Sequence, residues 1–479
     1  MRTALAVLIA CVWAGARPCA AAPPATTRAA VRADGYRGIW YMNQPQADAF
    51  KYKYSGGFGT YPQQHVPLAI YAAAVDKTFF CYGGRDDDAN EIRNLVSVYD
   101  HATGTVPRPA VVLRRATNDT HYNPTLGMDA AGHVYVFCNS HGAGYELSKD
   151  DPTHGGAFIY RSTRPYSIDA FERVYAGNFS YSQPWTVAGR GMLWLHTRYA
   201  GNNRRLFFAT SEDGRTWSEP RPLVRIRQGS YQISWGDGRR IATAFDHHPD
   251  KGHLNARTNL YYLETRDLGQ TWTTVDGKPV TTPLTDVQNP ALVRDYEKEG
   301  LLVYLKDLAF DADGRPVVLY LTAKGYKSGP DAGPRVWYTA RWTGDAWEYR
   351  EAARSDHNYD HGSLYVEADG AWRLIAPTEP GPQPGTTGGQ VTVRVSKDRG
   401  QTWAEAGRLA IPGGRNQTYV RRPVNAAAGF YAYWADGDAL QPSASSLYFM
   451  TKDGAAFRLP ERMTADTARP EAVGEVKPR

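Results

Sequence analysis

The chain has four cysteines in 479 residues. Cys11 and Cys19 fall in an opening stretch that reads as a leader, which leaves Cys81 and Cys138. Two cysteines are too few for a disulfide framework, and two buried thiols are the expectation. Beyond the N-terminus no run is apolar enough, for long enough, to cross a bilayer, which argues against a membrane-spanning helix. A sustained helical period is also missing, which excludes a helical bundle or a coiled coil. No dense stripe of lysine and arginine occurs. The formal charge of +6 includes two leader arginines, so a nucleic-acid partner is not indicated, while an acidic substrate is permitted.

Several features are plain. "MRTALAVLIACVWAGARPCAAAPPA" has a basic start, an apolar run and small residues, the pattern of a secretory signal peptide. It is expected to span residues 1–21, with a linker over 22–31, and to send the protein to the periplasm or outside the cell. The 31 tyrosines and 13 tryptophans, with 46 glycines and 31 prolines as punctuation, give an all-β profile.

Internal repeats sharpen that profile into an architecture. "TSEDGRTWSEP" (210–220), "TRDLGQTWTTV" (265–275) and "SKDRGQTWAEA" (396–406) share a turn box. Asp caps the turn, Gly takes a backbone conformation other residues resist, and Trp packs inward. Weaker copies at 98–106, 160–174, 341–349 and 450–459 bring the total to seven. Each unit also holds two apolar strands joined by a tight turn, as in "PTLGMDAAGHVYVFCNS". A single seven-bladed β-propeller over residues 32–460 is predicted, followed by a flexible tail over 461–479.

In such a blade the innermost strand begins at one face of the ring and the second strand returns to it. The start positions include His65, His121, Tyr181 and Tyr231, and Tyr359 with His361. The return positions include His141, His196 with Arg198 and Tyr199, and Asp246 with His247 and His248. A histidine at a strand end is ordinarily a surface or turn residue. Equivalent placement in adjacent blades singles out His121, His141, Tyr181 and Arg198 as candidate catalytic residues, able to bind an anion and move a proton. "HHPDKGH" offers three histidines, but its spacing fits no standard zinc pattern. The metal ligands of the chain therefore stay unassigned. No cofactor is expected for the chemistry, and a structural zinc or calcium ion remains compatible with the fold.

"DGYRGIWYMNQPQADAFKYKYSGGFGTYPQQHVPLAIY", the paired "HYNP" and "CNSHG", "HHPDKGHLNARTNLYYLET", "SDHNYDHGSLYVE" and "TYVRRPVNA" together resemble the sialidase-related BNR-4 repeat proteins. That family includes ulvan lyases, and lyases and α-L-rhamnosidases acting on L-rhamnose joined α-1,4 to D-glucuronate. The resemblance implies a secreted polysaccharide lyase, a monomer that acts on an acidic glycan by β-elimination. It carries catalytic roles to His121, His141, Tyr181 and Arg198, and substrate binding to His65, His247, His248, Arg257 and Tyr199. In the rhamnosidase branch a single histidine is catalytic, and His65 is its counterpart here. In a lyase, Arg198 would neutralise the uronate carboxylate, and Tyr181 would serve as base and acid, with His121 or His141 as the alternative base. A hydrolase would need two carboxyl groups, for which Asp246, Asp360, Glu379 and Asp436 are available. A non-catalytic carbohydrate-binding propeller would need no histidine pair.

Overall fold

A computed structural model describes residues 27–58, 64–85, 91–141, 156–409, 411 and 413–478. The expected signal peptide lies outside these residues. The described chain is all-β, as its composition and turn spacing predict. Apolar residues fill runs such as Val134–Cys138 and Pro316–Ala323, every position of which is buried. Strands this apolar on both sides must be covered on both faces.

The strands are grouped as seven consecutive four-stranded antiparallel meanders. The first comprises Ala69–Ala72, Lys77–Gly84, Ile92–Asp100 and Ala110–Arg115. The second comprises Pro124–Met128, Val134–Cys138, Ala157–Ser162 and Ala170–Gly177. The third comprises Ser180–Val187, Gly191–Ala200, Asn203–Ser211 and Arg221–Val224. The fourth begins with Gln232–Gly236, Ile241–His247 and Thr258–Thr265, and the fifth starts at Leu302–Phe310. The sixth runs from Ser363–Val366 to Ala404–Leu409, and the seventh from Asn416–Arg421 to Ala455–Arg458. The first strands of successive meanders are neighbours from the second to the sixth. The last meander returns to the first, where Val424 and Tyr71 exchange hydrogen bonds of 2.9 Å with Ala69 and Val424.

The turn boxes behave as their chemistry requires. Asp213 accepts from the backbone N–H groups of Arg215 and Thr216, and Gly214 sits at φ +68°. A Cβ on Gly214 would lie 1.8 Å from the Tyr135 hydroxyl, so both conformation and space demand glycine. Trp217 is buried against Phe137 of the preceding meander and Trp194 of its own. Cys81 and Cys138 are both free and buried.

The ends of the chain differ from expectation. Residues 27–32, within and just beyond the expected linker, pair with the outer strands of the second and first meanders. The stretch 461–479, expected as a flexible tail, carries Glu471–Lys477, which pairs with outer strands of both the sixth and seventh meanders and joins them in one nine-stranded sheet. Its polar sequence hid this, because a segment added to a sheet edge is held by backbone hydrogen bonds and needs no apolar face.

Candidate active site

His121 is the middle residue of a single 3-10 turn, Thr120–Tyr122, just before the first strand of the second meander, and His141 follows that meander's second strand. Antiparallel pairing brings Pro124 opposite Cys138, so the two flanking segments leave the sheet side by side. Their imidazoles stack, with centroids 3.7 Å apart and an interplanar angle of 5°.

A residue that sequence reading missed holds them. The Asp119 carboxylate caps the 3-10 turn at the His121 N–H and engages Nδ1 of His121 through Oδ1. Its other oxygen lies 2.7 Å from Nδ1 of His141. Burial alone would raise the Asp119 carboxyl, but the two histidines outweigh it and hold it well below the usual carboxylate range. Burial also pushes His121 down to about 4, against the pull of Asp119. The consistent assignment is an ionised Asp119 that accepts an Nδ1–H from each ring, which leaves the Nε2 of each ring unprotonated and on the side away from the carboxylate. "NDTHYNP" offered the only signal, an aspartate two residues before a singled-out histidine.

Next to the pair stand two tyrosines. Tyr181 belongs to the first strand of the third meander, where the register shifts between Ser180 and Gln183 and Tyr181 takes φ 53°. That bulge aims its ring toward His121, at 5.9 Å, and His65, at 5.5 Å. Its hydroxyl lies 3.1 Å from that of Tyr199. Burial raises Tyr199 to about 12.

The cation at this point is Arg204. Tyr199 and Arg204 face each other across a hairpin, as do Arg198 and Arg205 one position along. Side chains alternate along a strand, so the two pairs project to opposite faces. Arg204 stands 5.2 Å over the Tyr199 ring and 5.5 Å from that of Tyr231. Arg198 turns away, 5.5 Å over Phe207, beside Asn178 and Arg225. The structure therefore does not bring Arg198 to the histidine pair.

His248, Arg257 and Asp246 of the fourth meander continue the cluster. His248 packs on Tyr231 at 4.9 Å and lies 3.5 Å from Asp246. Arg257 lies 4.6 Å over both Tyr231 and Tyr304, and donates to the Tyr359 hydroxyl at 2.9 Å. Burial lifts Asp246 to about 7. His247 faces elsewhere, toward the Tyr261 hydroxyl and Glu297, because a register shift between Phe245 and His247 separates it from its neighbours. Lys53, also missed, comes from the N-terminal hairpin Tyr41–Pro45 and Tyr52–Gly56. Its ammonium donates to Asn255, and burial, then Arg257 and Arg204, push it well below the ordinary lysine range. The same hairpin places Tyr41 edge-on to His121 at 6.0 Å.

Asp119, His121 and His141 also form a metal-type donor set, with ligand atoms within 4.8 Å of one another. A cation would compete for the nitrogens that now bond Asp119. The assembled side chains can accept a proton at an imidazole Nε2, donate or accept one at a tyrosine hydroxyl, and neutralise an anion with Arg204, Arg257 and Lys53.

Buried neutral histidines also set how stability depends on pH. His196 has no exposure, stacks on Trp194 at 4.1 Å, and is pushed down to about 3 by burial. Between the ordinary histidine value and that low one the unfolded chain binds a proton that the folded chain refuses. Stability therefore falls as pH drops below about 6.5, by roughly 4 kcal/mol from this residue once pH approaches its folded value. At pH 4.5, two units below the ordinary value, the loss from this residue is about 3 kcal/mol; urea unfolding at neutral pH and near pH 4.5 should show it, and His196→Phe should reduce it, whereas an equal acid sensitivity in the variant would refute the assignment.

A family model described as a BNR repeat-containing family member matches residues 97–355. Ulvan Lyase-PL25 of Pseudoalteromonas sp. (strain PLSV) is 24% identical over 339 residues, covering 60% of this chain and 67% of its own length. An ulvan lyase of Nonlabens ulvanivorans is 25% identical over 323 residues, covering 59% of this chain and 65% of its own. These alignments span about two thirds of either relative. Among solved structures, a PL25 ulvan lyase bound to -[GlcA(1-4)Rha3S]- superposes with a TM-score of 0.66 at 16% identity, covering 88% of this chain and 96% of that one. The polysaccharide lyase Uly1 gives a TM-score of 0.59 at 12% identity, covering 89% and 99%. With the family model matching more than half of its length, the chain belongs to the BNR repeat-containing family.

Proposed function

We propose that this protein is a polysaccharide lyase that cleaves the L-rhamnose-α-1,4-D-glucuronate linkage of an acidic glycan by β-elimination, on a single seven-bladed β-propeller. The observation that carries the reading is the Asp119-bound pair of stacked imidazoles, set beside two tyrosine hydroxyls 3.1 Å apart and the Arg204 guanidinium. The similarity to ulvan lyases supports the same reaction class. The leader sequence supports export, and the protein is expected to act as a monomer.

Elimination removes the proton at C5 of the glucuronate and expels the sugar oxygen at C4. As the C5–H bond breaks, its electrons form the C4–C5 double bond and the C4–O bond cleaves. Charge that builds on the carboxylate needs a preorganised cation, and Arg204 is the guanidinium placed for it, with Arg257 and Lys53 behind. Tyr181 is assigned as the base that takes the C5 proton and the acid that protonates the leaving oxygen. An Nε2 of the histidine pair orients it or shares the proton. Tyr199 stabilises the phenolate through its hydroxyl.

Arg204→Ala should lower kcat/KM by about two orders of magnitude, whereas Arg198→Ala should leave it near that of the parent. Steady-state rates on ulvan check this, and the reverse ranking would return the neutralising role to Arg198.

No cofactor is assigned to the chemistry, since base, acid and cation all come from side chains. Dialysis against EDTA should leave activity intact. Loss on dialysis with recovery on added zinc or calcium would instead make Asp119, His121 and His141 a metal site.

One observation favours hydrolysis, as by an α-L-rhamnosidase: Asp246 is a carboxyl held up to about 7 and so able to act as an acid. Its Oδ1, however, accepts the Tyr231 N–H at 2.7 Å. Incubation with ulvan and with rhamnose-capped glucuronate glycans of gum arabic, followed by ultraviolet absorbance and by reducing ends, distinguishes the readings. New absorbance together with reducing ends supports elimination. Reducing ends alone mean hydrolysis, and binding without either means a carbohydrate-binding propeller.

A further inference from the structure

A second group of buried charges borders the candidate site, on or just before the first strands of the fifth, sixth and seventh meanders. Lys306 sits where the register of Leu302–Phe310 shifts between Leu305 and Asp307. Arg421 sits at the corresponding shift between Thr418 and Arg421. His361 precedes Ser363–Val366 between them, and its carbonyl accepts the Val420 N–H at 3.0 Å. Bulges aim side chains away from the ordinary alternation, and a lysine and an arginine fall at these two.

All three residues are buried, at 0% exposure for Lys306 and His361 and 3% for Arg421. The Lys306 ammonium donates to the Asn358 carbonyl at 2.7 Å, and Nη1 of Arg421 reaches the Lys306 carbonyl at 3.4 Å. Nε and Nη2 of Arg421, and both ring nitrogens of His361, have no hydrogen-bond partner among the described residues. A guanidinium keeps its proton under these conditions. Burying one with most of its donors unmet costs several kcal/mol unless an acceptor is supplied.

The charges around the group do not balance. Three cations, Lys306, Arg421 and Arg422, face two carboxylates, Asp307 and Asp360. Asp307 is bridged to Arg422 at 3.4 Å and accepts the Leu364 N–H. Asp360 accepts the backbone N–H groups of His357 and Gly388, and faces Lys306. The neighbouring Arg335 faces Asp360 and Asp356, and Arg257 faces Asp246, whose carboxyl burial lifts to about 7. Within the group of Lys306, Arg421 and Arg422 with Asp307 and Asp360, one positive charge is left over, and Arg421 carries unmet donors.

We infer that Arg421, His361 and Lys306 form a buried site for one monovalent anion of halide size, bordering the catalytic cluster at the Tyr304 ring that Lys306 and Arg257 share, which locks the fifth, sixth and seventh meanders together. Nε and Nη2 of Arg421 supply two donors, a His361 ring N–H the third, and the Lys306 ammonium the balancing charge. The single excess charge selects a monovalent ion, and the burial of Lys306, His361 and Arg421 selects a small one.

Bromide is the probe. The full-length protein is crystallised without halide, soaked in sodium bromide, and measured at the bromine absorption edge. The expected result is one anomalous peak within hydrogen-bond reach of Arg421 Nε and Nη2. In solution, moving from sodium gluconate to sodium bromide at equal ionic strength should raise the thermal midpoint by about 2 °C, saturably. His361→Gln and Arg421→Gln should abolish that rise. Ordered water without anomalous signal at these nitrogens, or an identical midpoint in the two salts, would overturn the assignment. The crystallographic measurement uses the unmodified chain, so it stands even where a variant fails to fold.

Discussion

Tyr181→Phe is expected to lower kcat on ulvan by about three orders of magnitude, within the range assigned to a positioned acid–base group, while leaving substrate affinity within severalfold. The hydroxyl oxygen is the only heavy atom removed. The ring keeps its contacts with His65, His121 and Tyr231, all buried neighbours of Tyr181. Binding rests on Arg204, Arg257 and Lys53, which the substitution does not touch. Steady-state kinetics with a parallel affinity measurement on the variant provide the check. Ordinary turnover would remove Tyr181 from the chemistry and direct attention to Tyr199, whose hydroxyl is 3.1 Å away. A loss confined to KM would make Tyr181 a binding residue.

Asp119→Asn should be nearly as damaging, with kcat down about a hundred- to a thousandfold and the chain still folded. The carboxylate fixes both imidazoles by accepting their Nδ1–H groups. An amide has one acceptor oxygen for two donors, and its NH2 forces one ring to present a bare Nδ1 and move its proton to Nε2. That ring can no longer accept a proton at the face of the site. Loss of the negative charge also removes the interaction that opposes burial at His121, which drives the imidazole's proton affinity down further. The acid limb of the pH–rate profile should shift to lower pH accordingly. A structural role alone would lower stability without moving that limb, so the profile decides between the two.

How much of this was legible beforehand depends on the range of the signal. The histidine pair was readable because its geometry is local. His121 and His141 flank one hairpin, and antiparallel pairing of Pro124–Met128 with Val134–Cys138 brings its two ends together whatever the rest of the chain does. Tyr181, His65, Tyr199 and His248 were likewise reached from equivalent positions in repeated units, and Arg257 from the family resemblance, and the structure gathers them in one cluster. Arg198 and His247 were named by the same logic and lie outside it. Each is next in sequence to a residue that does belong, Tyr199 or His248. The choice between neighbours depends on pairing register, and a one-residue shift reverses it.

The sequence by itself determined an all-β chain of repeated meanders, closed by Asp-capped turns, with a polar cluster at the ends of their inner strands. Turn chemistry and strand alternation act over a few residues and are written in every repeat. Only the tertiary structure decided that Arg204 and not Arg198 stands over Tyr199, that Asp119 binds both imidazoles, and that Lys53 from the N-terminal hairpin joins Asn255 across 202 positions of chain. Those outcomes rest on the pairing register of a hairpin, on a capped turn and on contacts between segments far apart in sequence, and none of these leaves a periodic trace in the order of the residues.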